Sequence, residues 1–306
     1  MKRSLAVVLA AVACAVASSP AQGAVTLDQQ QTFWDNFSGI DGPQSGAGFS
    51  VAQSFTPGLT GFLDQVDVYL HRYESASGPL TVEIRDVDGT GLPGSTVLAS
   101  ASVAAADVPV FPPSPGAFVP VALGSQPLVR AGSRYAIVAY AGGADHYGIA
   151  MTYSGNPYPS GAALFSRASP PAAWGLFSAG DADTAFKTYV STYDFAGFSS
   201  PVDNPPVVNV AKAGSSIPIK FGLGADEGLD VLLEGSPTVT LATCDGSPPE
   251  DVIEQTTTAN HGLTYDAVSN TYNYVWKTDK SWSGQCATFT LALADGSVHT
   301  AEFQLR

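Results

Sequence analysis

Two aspartates at alternate positions before a glycine turn, Asp86-Val87-Asp88-Gly89-Thr90-Gly91, are the residues of this chain best suited to an inorganic ligand. Calcium takes several oxygen ligands, and carboxylates spaced this way converge on one ion when a turn folds them together. Asp181 and Asp183 are the acids that would complete the shell from a distant strand, since the fragment lacks the full ligand series and terminal Glu of an EF-hand. The same Asp-Gly pair also reads as a metal-free turn at a strand end. The expected cofactor is therefore none, or a structural calcium ion.

Aromatic rings are the second chemical resource. Tyr147, Tyr153, Tyr158 and Trp174 occur around Gly-, Asn- and Pro-rich connections, and Trp282 lies in a polar loop just before Cys286. Exposed rings give apolar area to a sugar, while neighbouring amides and acids fix its orientation. Rings in such loops also plug the open ends of β-sandwiches, so each of the five carries both readings. The four histidines, His71, His146, His261 and His299, are isolated, and none has a partner at zincin spacing. His146, beside Asp145 and Tyr147, is the histidine to consider for ligand contact; His71 and His299 read as structural.

Covalent catalysis finds little to work with. There is no Gly-x-Ser-x-Gly elbow, and the Gly-rich stretch 42–48 lacks the Lys of a phosphate cradle. Glu83 has no indicated partner for glycosidic chemistry. The 13 basic residues against 27 acidic ones, a net charge of -14, give no positive field for nucleic acid.

The elements that must position these groups are strands. Charged residues are only 13 %, Gly and Pro number 31 and 22, and aromatic content is 10 %, a composition that excludes long helices and disorder. Val66, Val68 and Leu70 alternate with Asp67, Tyr69 and His71, and Leu80, Val82 and Ile84 alternate with Thr81, Glu83 and Arg85. Further strands are expected over 97–102, 118–123, 135–140, 146–153, 163–165 and 185–193. Residues 24–195 are thus expected to form a jelly-roll-like β-sandwich. Residues 196–206, rich in Pro, Gly and small polar residues, read as a linker. Alternation resumes over 207–306, with Asp295-Gly296 as a hairpin turn, and predicts an immunoglobulin-like β-sandwich.

The first 23 residues have the form of a signal peptide: Lys2 and Arg3, an apolar run from Leu5 to Ala13, then small residues up to Gly23. Cys14 lies within it, and Ala11-Val12-Ala13-Cys14 lacks the Leu that starts a lipoprotein box. No later run is long enough for a membrane span. Export leaves Cys244 and Cys286, which are expected to form one disulfide closing a loop of about 42 residues and stabilising its domain by roughly 4 kcal/mol.

Ile217-Pro218-Ile219-Lys220-Phe221-Gly222, Gly228-Leu229-Asp230, Tyr272-Asn273-Tyr274-Val275-Trp276-Lys277-Thr278 and the later Lys280, Trp282, Gly284 and Cys286 resemble the PxKF domain of secreted actinobacterial proteins. The resemblance covers most of 205–306 and implies a non-catalytic, immunoglobulin-like extracellular module. Gln53-Ser54-Phe55-Thr56-Pro57, the 80–86 strand and the 183–189 segment are similar, more loosely, to jelly-roll modules of bacterial surface proteins, some of which bind carbohydrate. The expectation is a secreted, extracellular, non-catalytic two-module protein adhering to carbohydrate or another cell-surface component. The alternatives are an extracellular structural or protein-interaction protein without a sugar site, and a hydrolase with a dispersed active site.

Overall fold

A computed structural model describes residues 23–46, 48–244, 255–256 and 262–306. All of the expected leader but Gly23 lies outside these residues, as does His261. The described residues are all-β, with only short 3-10 turns between strands. Among the described residues, no helix is long and apolar enough to cross a membrane.

The first part of the chain contributes β1 (Thr26–Gln31), β2 (Asn36–Asp41), β3 (Ser50–Phe55), β4 (Gly61–Tyr73), β5 (Leu80–Val87), β6 (Pro93–Val103), β7 (Val110–Phe111), β8 (Ala117–Ala122), β9 (Leu128–Val129), β10 (Tyr135–Ala141), β11 (His146–Thr152), β12 (Ala162–Ser166), β13 (Gly175–Leu176), β14 (Asp183–Thr184) and β15 (Phe186–Ser191). One sheet runs β1-β15-β4-β11-β14, with β2 on β11 and with β7, β8 and β9 on β4; the other runs β13-β12-β3-β10-β5-β6. Their inner faces meet in one core. Val66, Val68 and Leu70 of β4 and Ile149 of β11 pack in the cluster that also holds Val51 and Phe55 of β3, Val82 and Ile84 of β5 and Ile137 of β10. Burying each such side chain stabilises the sandwich by roughly 1.5–3 kcal/mol. The period-two pattern of β4 is what sends its alternate residues, Asp67, Tyr69, His71 and Tyr73, to the opposite face.

The second part forms β16 (Phe198–Ser199), β17 (Val208–Ala211), β18 (Ser216–Phe221), β19 (Thr238–Thr243), β20 (Gln255–Thr256), β21 (Leu263–Asp266), β22 (Thr271–Lys277), β23 (Gln285–Ala292) and β24 (Val298–Leu305). They pair as β16-β18-β22-β21 and β17-β24-β23-β19-β20. Phe221, Tyr272, Tyr274 and Trp276 of the first sheet share a core with Leu241, Phe289, Leu291 and Phe303 of the second. Pro218 sits opposite Val275 on one side, beyond the point where the short β16 pairs with Phe221 and Lys220 on the other. A proline is accommodated there because no neighbouring strand requires its missing N–H.

Within the expected linker 196–206, Phe198 is in β16, and Phe198 and Val202 are buried in the second core. Composition marks the segment as turn-rich, but these two apolar side chains anchor it to the sandwich that follows. The cysteines do meet. Cys286 lies on β23 opposite Ala242, Cys244 follows the end of β19, and the pair is disulfide-bonded with Cα atoms 4.9 Å apart.

Candidate functional site

The outer face of the nine-stranded sheet carries a continuous cover of rings built on β4. Tyr69 is matched by Phe118 of β8, Tyr73 by Phe111 of β7 and His71 by Gly148 of β11. Beyond β11, β2 brings Phe37, Gly39 and Asp41 opposite Ala150, Gly148 and His146. Trp34, just before β2, has its ring 5.0 Å from those of both Phe37 and Tyr69. Phe118 meets Tyr69 edge-on at 5.2 Å, Phe37 lies 4.5 Å from His71, and Phe111 stacks on His71 at 4.9 Å. Tyr73 continues to His146 at 4.4 Å. These are the offset and edge-on geometries that ring quadrupoles favour.

The rim is polar. The Lys187 ammonium stands 4.4 Å from the centre of the Phe118 ring. Asp67 accepts hydrogen bonds from Gln65 Nε2 at 2.6 Å and Tyr189 Oη at 2.9 Å. His146 Nδ1 lies against the Asp41 carboxylate. At one end Phe33 is 60 % exposed, and the buried Gln31 holds it there: its amide accepts from Phe33 N and donates to the carbonyls of Phe33 and Thr184. An apolar residue is thus presented to solvent on a fixed turn.

Two paired glycines, Gly39 and Gly148, lie in the middle of the face. A Cβ on Gly148 would collide with the His71 ring, whereas one on Gly39 would make only ordinary contact with the Asp41 carboxylate and the His146 ring. The missing side chain at Gly148 lets the imidazole lie down on the sheet. His71 is only 2 % exposed, with Nδ1 3.3 Å from the Pro115 carbonyl and no partner for Nε2 among the described residues. Burial holds its pKa below the ordinary imidazole value. A neutral imidazole thus packs among Phe37, Tyr73 and Phe111 without itself reaching solvent.

The residues nominated by sequence are distributed differently. Tyr147 is an inward residue of β11 with no exposed surface; its hydroxyl donates to the Gly78 carbonyl, and burial pushes it up to about 12. Tyr158 is buried at an end of the first sandwich, accepting from Thr56 N and donating to Gln29 Oε1. Trp282 is buried against Trp276. These three are core rings, and no ligand could stack on them without opening the core. Tyr153 is exposed, edge-on to Phe177, with its hydroxyl 3.5 Å from the Phe37 carbonyl at the rim of the ring face. Trp174 is half-buried on the opposite sheet, over Ala52, Ala136, Val138 and Leu164.

The four aspartates do not assemble a calcium shell. Asp86 accepts from Thr96 N. Asp88 caps its own turn through Thr90 N, Thr90 Oγ1 and Leu92 N, donors that hold its carboxyl below the usual range. Asp183 is fully buried and accepts from Gln53 Nε2 and Tyr158 N, and burial pushes its pKa up. Asp181 is exposed. Among the described residues, no three His, Cys, Asp or Glu side chains come together as metal ligands. Glu83 is likewise engaged, accepting from Tyr140 Oη and pairing with Arg85.

Trp34, Phe37, Tyr69, Phe111 and Phe118 were not singled out by sequence. The signal lies in the Asp67-Tyr69-His71-Tyr73 stripe, which alternates with the aliphatic Val66, Val68 and Leu70. Comparison with known proteins finds no matching family model and no matching curated protein.

Proposed function

We propose that this chain is an exported, non-catalytic adhesion protein whose first sandwich holds an extended polysaccharide against the ring face of the nine-stranded sheet. The observation that supports it is the outward cluster of Trp34, Phe37, Tyr69, Phe118, His71 and Tyr73. Rings on a sheet face present C–H-complementary area to flat pyranose units, and Lys187 and His146 stand at the rim where ring hydroxyls would reach. A spread of rings over several strands suits successive units of a polymer better than one enclosed monosaccharide. The leader-like start and the resemblance of the second sandwich to the PxKF domain support an extracellular setting.

The test is depletion of the protein from solution by insoluble cellulose, chitin, xylan and peptidoglycan. Retention on at least one is expected, with the Trp34→Ala/Tyr69→Ala variant weakened about tenfold or more at unchanged circular dichroism. No retention on any of the four, or equal retention of the variant, would contradict the proposal.

A further inference from the structure

The lysine of the Pro218-Ile219-Lys220-Phe221 motif has no role in the ring face. Ile219 and Phe221 enter the second core, so Lys220 points to the outer side of the four-stranded sheet. There it belongs to a lateral row crossing all four strands: Ser199 of β16, Lys220 of β18, Asn273 of β22 and Thr264 of β21 are register partners in turn. Neighbouring strands lie about 4.7–4.9 Å apart, so the row sets a hydroxyl, an ammonium, an amide and a hydroxyl at regular intervals. The next outward pair is Thr271 with Asp266. These residues line a cleft of about 420 Å³, a volume within the range of small-ligand sites.

Two features point to a ligand. Asn273 Oδ1 is buried with no hydrogen-bond partner among the described residues, an arrangement that costs free energy unless something else satisfies it. No acid pairs with Lys220 among the described residues, although the chain has twice as many acids as bases. Asp266, in the same cleft, is already engaged by Val268 N and Ser269 Oγ. Beside the row, Pro218 and the 46 % exposed Val275 form an apolar shelf.

The chemistry of this set is selective. One ammonium offers one charge and three donors, the amide offers both donor and acceptor, and the Thr264 and Thr271 hydroxyls, which donate to the Asn273 and Ser269 carbonyls, remain as acceptors for ring hydroxyls. A phosphate dianion would leave charge unmatched and face Asp266, and the net charge of -14 opposes any dense polyanion. A single carboxylate on a hydroxyl-rich ring fits. We propose that the cleft is a second binding site, for a hexuronic-acid residue, with its carboxylate on the Lys220 ammonium and its ring hydroxyls on Asn273, Thr264 and Thr271. The site is on the other sandwich from the ring face and does not depend on it.

Amide NMR of the full chain with sodium galacturonate, sodium glucuronate, galactose and sodium acetate tests this. One of the uronates should shift the resonances of Lys220, Thr264 and Thr271 and the side-chain amide of Asn273, with galactose and acetate each about tenfold weaker or more. Lys220→Gln and Asn273→Asp should each weaken uronate binding by about tenfold or more while the thermal transition stays in place. The proposal fails if neither uronate moves these resonances, if acetate binds as tightly, or if both variants bind like the parent chain.

Discussion

The two sandwiches use aromatic residues at the same strand spacing with opposite results. On β22, Tyr272, Tyr274 and Trp276 point inward, and Trp276 packs 5.3 Å from Phe289 and 4.9 Å from Phe303. On β4, Tyr69, His71 and Tyr73 point outward. The difference lies in the alternate stripe. Asn273, Val275 and Lys277 cannot fill a core, so the rings of β22 do; Val66, Val68 and Leu70 fill one completely, so the rings of β4 are placed on the opposite face. A one-residue slip of register would exchange the stripes, and burial of one face forbids it. A ring stripe is therefore a candidate ligand face only when its partner stripe is the more apolar of the two.

The contrast can be broken most forcefully at Trp276. Trp276→Ala should destabilise the second sandwich by about 3–5 kcal/mol in a denaturant titration, the cost of a large core cavity. Cys286→Ser should cost about 2–5 kcal/mol through loss of the Cys244 crosslink, and the difference should vanish when the parent chain is reduced. Gly148→Ala is a sharper probe of the first sandwich: its methyl would displace the His71 imidazole, at about 1–3 kcal/mol, and disturb the ring face in the same step.

The smallest effect is in pH. Burial lowers the pKa values of both His71 and His299 below 6.5, so the unfolded chain binds more protons than the folded one near that value. Their contribution is fully present above 6.5 and is lost as pH falls through the lowered folded values. Melting temperature should drop on going from pH 7 to pH 5, and His71→Phe should flatten the part due to the first sandwich. A His71 variant with the same pH dependence as the parent would show that the imidazole is not held neutral by the rings.

Much of this architecture is legible in the sequence because alternation is strong where both layers are half-buried. Val66–Leu70, Leu80–Ile84 and the strands around Cys286 are examples, and the all-β fold follows from them. Thr26–Gln31 and Asn36–Asp41 escape this reading: Thr-Leu-Asp-Gln-Gln-Gln has no apolar stripe and is held as an edge strand by backbone pairing with β15, and the apolar Phe37 and Ile40 of β2 do not alternate. Those two strands flank Trp34 and carry Phe37, so these two rings of the face have no local signature. The loop aromatics fail for a related reason. Asp279 caps a single 3-10 turn through Ser281 N and turns Trp282 inward, and Tyr158 closes the end of its sandwich through hydroxyl contacts with residues far away in sequence. Neither long-range packing nor the direction of a short turn is encoded in residue type alone.

The four tryptophans report on the central claim separately, because each occupies a different environment: Trp34 on the ring face, Trp174 on the opposite sheet, and Trp276 and Trp282 in the second core. The direct measurement is an indole N–H spectrum of the full chain titrated with soluble cello-, chito- and xylo-oligosaccharides. Saturable movement of the Trp34 signal with at least one of them, with Trp276 and Trp282 unmoved, is the predicted result. Movement of Trp174 or Trp282 with Trp34 silent, or no movement with any of the three, would contradict a ligand face on the nine-stranded sheet.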